Sequence, residues 1–151
     1  MIERVSTGRF EYIECGVLEP KREKPIWERL AEISVGLRDV IRELEPDEVA
    51  VESTFFDKNA RSALRLGEAR GVALACAGEA SLAVFEYPPA TVKRQVAGQG
   101  QASKVQVQTM VRSLCALKRP PLLDASDALA IAICHAFRSK VRARLASGIV
   151  R

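Results

Sequence analysis

The stretch Leu123-Asp124-Ala125-Ser126-Asp127-Ala128-Leu129-Ala130-Ile131-Ala132-Ile133-Cys134 follows the breaker Pro120-Pro121 and is built of good helix formers. The composition predicts a helix, and residues three apart share a helix face, so Asp124 and Asp127 leave its first turn in the same direction. The positive end of the helix dipole favours anions there, and acids also stand there simply as caps. A third acid, Glu52, ends Glu48-Val49-Ala50-Val51-Glu52, which after the turn signal Pro46-Asp47 reads as a short buried strand closing on a charge. Ligands of open α/β sheets bind beyond the carboxyl ends of strands, although an acid is also ordinary at a sheet rim. Taken together, the three acids point to a divalent-cation site, and their hard oxygens select Mg²⁺ or Mn²⁺ over zinc.

Upstream of Glu52, Met1–Val5 and Tyr12–Val17 read as two strands joined at Thr7-Gly8, an opening hairpin. Pro25 then starts an amphipathic helix whose apolar positions Trp27, Leu30, Ile33, Leu37, Ile41 and Leu44 recur every three or four residues until Pro46 stops it. Downstream, a helix is expected from Asn59 to about Ser81. Its small residues Ala60, Ala63, Gly67, Gly71, Ala75 and Gly78 suit a dimer seam or close packing on the protein's own sheet. A strand over Ala83–Tyr87, a short helix after Pro88-Pro89, a Gly98-Gln99-Gly100 loop, a helix from Ser103 to about Leu117 and the Asp-bearing helix complete the chain. Strands followed by alternating helix and strand indicate a layered α/β or α+β fold.

The 151 residues, 48% of them apolar, suffice for one domain that buries roughly 70% of its unfolded surface. Residues 1–151 are therefore read as a single domain with a basic tail from about 138. Twenty-three Lys and Arg against nineteen Asp and Glu give a formal charge of +4, which permits polyanion binding without requiring it. The clustering is more telling: Lys93-Arg94, Lys104, Arg112, Lys118-Arg119, Arg138, Lys140, Arg142, Arg144 and Arg151 lie in the half that carries the Asp pair, as a nucleic-acid face or a merely solvated one. The tail is either a DNA-binding arm or the end of the last helix. Cys15, Cys76, Cys115 and Cys134 have no CxxC spacing and suit a reduced, cytoplasmic protein. The absence of a signal peptide or bilayer-length apolar run argues against secreted and membrane classes.

Four segments taken together carry a resemblance: Val51-Glu52-Ser53-Thr54-Phe55-Phe56-Asp57-Lys58-Asn59, Ala63-Leu64-Arg65-Leu66-Gly67-Glu68-Ala69-Arg70-Gly71-Val72-Ala73, Val84-Phe85-Glu86-Tyr87 and Asp124-Ala125-Ser126-Asp127-Ala128-Leu129-Ala130-Ile131-Ala132. In this order, from about Met1 to about His135, the chain resembles the RuvC family of bacterial crossover junction endonucleases. The resemblance implies an RNase H-like mixed sheet flanked by helices, a homodimer, and Mg²⁺-dependent paired nicking of four-way (Holliday) junctions in recombination and repair. Mn²⁺ would substitute, with two ions per subunit. It also implies a branch-migration motor of the RuvA and RuvB type as partner. Glu52, Asp124 and Asp127 fall on three of the family's four metal-binding acids. Phe55, Lys58, Lys93 and Lys104 fall on positions near the DNA, Phe55 on an aromatic at the junction centre; on position alone, a Phe after a strand is more often core.

One departure matters: the family opens with a strand of the type Ile-Gly-Ile-Asp-Pro-Gly that carries the fourth acid, and Met1-Ile2-Glu3 aligns with its close. Glu3 is a poor substitute. Within the family fold that strand lies between the hairpin and the strand ending at Glu52, so its loss would leave two rows of unpaired backbone groups facing a gap. An upstream initiation codon, a sheet closed differently, or a strand borrowed from a partner would answer this, and the first is the expectation. Two functions are carried forward: a junction-resolving endonuclease, and a catalytically impaired junction-binding protein, because site geometry decides activity. A different RNase H-like nuclease acting on another structured nucleic acid is a third, weaker option. His135, eleven residues beyond Asp124, lies roughly 16 Å along a straight helix, too far to share a metal with it; a surface or DNA-facing place is expected.

Overall fold

The helix that starts behind Pro120-Pro121 runs, in the computed structural model, from Leu123 to Ala146 and is α5 in the order β1 (Ile2–Ser6), β2 (Arg9–Tyr12), α1 (Ile26–Leu44), β3 (Glu48–Glu52), α2 (Ala60–Glu79), β4 (Ala83–Tyr87), α3 (Pro89–Ala97), α4 (Lys104–Leu114), α5. The structure describes residues 1–6, 9–53 and 60–146. Contacts divide the chain into two units, one of Met1–Gly16, Ala50–Glu52 and the chain from Glu86 onward, the other of Val17–Val49 and Ser53–Phe85.

In the first unit α3, α4 and α5 pack together around Val92, Val96, Val107, Val111, Leu129, Ile133 and Cys134, all buried. These positions fall at helical spacing on each element, which is why two short helices and the long α5 close one core. α3 ends at Gly98, whose φ of 79° places it in the left-handed region, so the chain turns there without Cβ strain. α4 starts with a complete capping box: the Ser103 hydroxyl accepts from the Gln106 backbone N–H at 3.2 Å, and the Gln106 side chain accepts from the Ser103 N–H at 2.8 Å. Ser103→Ala is expected to cost about 1 kcal/mol, read as a lowered midpoint in urea. An unchanged midpoint would mean that water caps the helix equally well.

The hairpin differs from expectation. Its second strand is Arg9–Tyr12, not Tyr12–Val17, with Ile2 opposite Tyr12, Arg4 opposite Phe10 and an irregularity between Arg4 and Ser6. Ile13 and Glu14 both donate their backbone N–H to the Met1 carbonyl, so the ladder ends where the alternating apolar pattern had suggested it should begin. Phe10 meets Phe137 of α5 edge to face, with ring centroids 4.8 Å apart.

Across the described residues β1 pairs only with β2 and β3 only with β4, in two two-stranded sheets. The twenty-residue helix between β3 and β4 is the kind of connection that parallel strands need.

In the second unit α1 packs on α2, and Arg38 forks onto Glu79 at 2.9 and 3.2 Å. The apolar stripe of α1 is the expected one except for Trp27, which is 69% exposed. At Gly67, Gly71 and Gly78 an added Cβ would meet nothing within 4 Å, so among the described residues these glycines are not the points of close packing that the sequence allowed.

Candidate metal and nucleic-acid site

Each acid sits where its element ends or begins. Glu52 is the last residue of β3, and Asp124 and Asp127 occupy the first turns of α5. Pro121 holds that helix start in place. Its carbonyl accepts from Gln108 Nε2 at 2.8 Å and from the Ser126 hydroxyl at 3.4 Å, while the Ser126 N–H donates to the Leu122 carbonyl at 2.8 Å. Ser126, Leu129, Ala130 and Ile133 turn inward, so Asp124 and Asp127 are left on the outer face.

Lys104, the first residue of α4, donates from Nζ to Asp127 Oδ2 at 3.1 Å. Its ammonium is held above the ordinary lysine value, first by that bond, then by the charge of Asp127, with Asp124 and Glu52 adding to the effect. The carboxyl of Glu52 is pushed above the usual carboxylate range, first by burial and then by the charge of Asp127, against the pull of Lys104 and Lys93. Glu52 is exposed by area, but its carboxyl lies against enough protein for desolvation to lead. Three carboxylates and two lysines thus share one electrostatic neighbourhood, all within the first unit.

The donor set fits a hard divalent cation in kind: only carboxylate oxygens, two of them repelling each other, with an ammonium standing among them. It is not closed into a ligand sphere, because among the described residues no three His, Cys, Asp or Glu stand near enough to hold one ion. The Lys104–Asp127 pair is well exposed and so worth about 0–1 kcal/mol. It yields readily to a stronger partner on either side.

Of the residues expected near DNA, Lys93 and Lys104 lie beside the acids, whereas Phe55 and Lys58 fall outside the described residues. His135 corrects the expectation of a surface or DNA-facing side chain. It is 8% exposed and its Nδ1 lies 2.8 Å from the Tyr87 hydroxyl, because the end of β4 supplies a buried polar partner that satisfies the ring. Arg138 stacks 6.0 Å above the same Tyr87 ring, and the helix continues to Ala146, so the first part of the basic tail is helical. The direct contact of Lys104 with Asp127 was missed from sequence. The capping box that places Lys104 at the first position of α4 was its only signal. No helix among the described residues is long and apolar enough to cross a membrane.

A family model for crossover junction endodeoxyribonuclease RuvC matches residues 1–135. The chain is 46% identical over 138 residues to a crossover junction endodeoxyribonuclease RuvC of Rhodopseudomonas palustris (strain BisA53), covering 91% of this chain and 79% of that protein. It is 55% identical over 119 residues to one of Dehalococcoides mccartyi (strain 195), covering 78% and 72%. Among solved structures it is similar to Thermus thermophilus RuvC, at 34% identity and a TM-score of 0.82 over 94% of this chain and 86% of the other. The T. thermophilus RuvC in complex with Holliday junction substrate matches at 33% identity and a TM-score of 0.87, over 93% and 86%. With its acids on β3 and α5, an RNase H-like α/β fold and relatives over most of its length, this chain belongs to the RuvC family of crossover junction endodeoxyribonucleases, nucleases that hydrolyse phosphodiester bonds.

Proposed function

We propose that this chain acts as a single resolvase domain, works as a homodimer in the cytoplasm, and resolves four-way junctions by paired symmetric nicks during recombination and repair, with Mg²⁺ as cofactor. The observation that carries the reading is the clustering of Lys104, Asp127 and Glu52, in which a basic side chain is poised on an acid of the candidate centre. Glu52, Asp124 and Asp127 would hold the metal, two ions per subunit, with Mn²⁺ able to substitute. When bound, such ions activate a water and stabilise the leaving oxygen of an in-line displacement.

The protein's own groups do the rest. Asp127 releases Lys104, whose ammonium then takes a substrate phosphate as a charge-assisted partner. Lys93, close enough to lower the Glu52 pKa, adds a second cation on the same side. Phe55 and Lys58 are assigned to the DNA as well, Phe55 for stacking on an unpaired base. A branch-migration motor of the RuvA and RuvB type would deliver the junction.

Two assays test this reading. The 151-residue chain is expected to nick a four-way junction with Mg²⁺ and not with a chelator. Junction binding without nicking would favour the second reading, a catalytically impaired junction-binding protein, which draws support from the open spacing of the three acids. In a nicking-competent chain, Glu52 must be ionised to bind metal, so the rate falls as pH falls through its raised pKa. That acid limb should lie above the ordinary carboxylate range. Lys104→Met removes a charge that lowers the Glu52 pKa and should move the limb further up; a limb that stays put would detach Glu52 from the rate.

A further inference from the structure

The C-terminal end of α4 carries a second feature that the metal centre does not use. A cavity of about 390 Å³, open to solvent, is lined by Thr109, Arg112, Ser113, Ala116 and Leu117. The chain reverses around it. Leu117 N–H donates to the Arg112 carbonyl at 2.9 Å and Ala116 N–H to the Ser113 carbonyl at 3.2 Å, the paired bonds of a Schellman turn. The left-handed residue of that turn is Ala116, with φ 51°, where glycine would sit without strain. Backbone strain of this kind persists where the surroundings impose it, often at binding sites. The same reversal turns the Leu117 carbonyl back onto Arg112 Nε at 3.4 Å, which anchors the guanidinium at the rim by one nitrogen. Among the described residues its two terminal nitrogens have no hydrogen-bond partner, and the Ser113 hydroxyl stands on the same exposed helix face, while Thr109 Oγ1 donates back to the Val105 carbonyl at 2.9 Å.

We infer that this cavity is a subsite for a backbone phosphate of the DNA, separate from the metal centre and engaged at the same time. The inference rests on the proposed action on junction DNA. Arg112 lies eight residues beyond Lys104 on one helix, about 12 Å along the axis, or roughly three to four base-pair steps of duplex. Eight residues also turn Arg112 about 80° around the helix from Lys104, so a junction arm that meets Lys104 and crosses α4 obliquely presents another phosphate at Arg112. The negative end of the α4 dipole opposes an anion by about half a charge. Here three of its last carbonyls, those of Val111, Arg112 and Ser113, are already bonded within the turn, and Lys118 and Arg119, both exposed, follow Leu117 directly. Three full positive charges outweigh the remaining partial one. A planar guanidinium beside the Ser113 hydroxyl suits phosphate oxygens, which accept from both.

Affinity for a four-way junction and for a plain duplex, measured across a salt series without divalent metal, tests the subsite. Arg112→Gln should lower the slope of log affinity against log salt by about one. Ser113→Glu keeps the Arg112–Leu117 bond and should weaken both DNAs at least tenfold at low salt, with the loss shrinking as salt rises. Unfolding midpoints confirm that both variants fold. Wild-type slopes and affinities in both variants would overturn the inference, and so would weaker binding at an unchanged slope with a fall in molecular mass in solution, which would make the cavity a contact between copies of this chain. The duplex arm separates the two readings. A wild-type chain that binds duplex and junction alike counts against the resolvase while leaving the subsite standing if the slopes change.

Discussion

Asp127→Asn is expected to reduce junction nicking at least about a hundredfold in any form of the protein that nicks, while junction affinity without metal stays within several-fold of wild type. The magnitude follows from the direct place of the carboxylate in the candidate centre. Even outer partners of metal ligands cost about 10–100-fold when removed, and a ligand should exceed them. Binding is spared because the amide keeps the shape, and Lys104, freed from a pair worth little at this exposure, is left available to phosphate. Glu52→Gln should behave alike, with a thermal midpoint at or above that of wild type near neutral pH. The sign follows from the raised pKa. A group raised in the folded state contributes stability that is fully present below its ordinary value and lost as pH rises through the folded one, so at neutral pH the charge is a burden that Gln removes. A parallel loss of binding and cleavage would instead assign these acids to the fold.

Ile133→Ala is expected to destabilise the protein by about 3 kcal/mol, within the 2–5 kcal/mol typical of such truncations, and to lower the thermal midpoint by roughly 6–12 °C. Ile133 is fully buried, as is its neighbour Cys134, and Leu129 one turn earlier is 1% exposed. The hole opens where α5 meets α3 and α4, and the short helices on either side are tied by the α3–α4 turn and the α4 capping box, so they are poorly free to collapse into it. Calorimetry decides it. A loss below about 1 kcal/mol would mean that the helices repack and the core is softer than its burial suggests.

The elements bounded by prolines were legible in the sequence, because Pro25, Pro46, Pro88 and Pro121 act locally on the backbone and helical periodicity acts within one element. Thus α1, β3, α3 and α5 stand where expected. The hairpin was misread because Tyr12–Val17 alternates as well as any strand; which residues pair depends on the partner, and Met1 closes the ladder at Tyr12. His135 was misplaced for a related reason. Its spacing from Asp124 gives a helix face but not what covers that face, and the cover is Tyr87, 48 residues away in sequence. The three acids could be named from position, yet the Lys104–Asp127 pair spans 23 residues and two helices, a relation that no local pattern encodes.

Among the described residues each sheet has two strands, which has a colloidal consequence. In a two-stranded sheet every strand is an edge, and an edge of unpaired amides is a template for another chain. One segment open to that hazard is Val49-Ala50-Val51 of β3, short, apolar and β-branched at both ends, and its only charges are the glutamates that bracket it, Glu48 and Glu52. Gatekeeping charges placed in this way keep apolar strands from stacking on one another. One carboxylate therefore serves both the chemistry proposed for this protein and its solubility: Glu52 is a candidate metal ligand and also the charge that guards the open end of a strand.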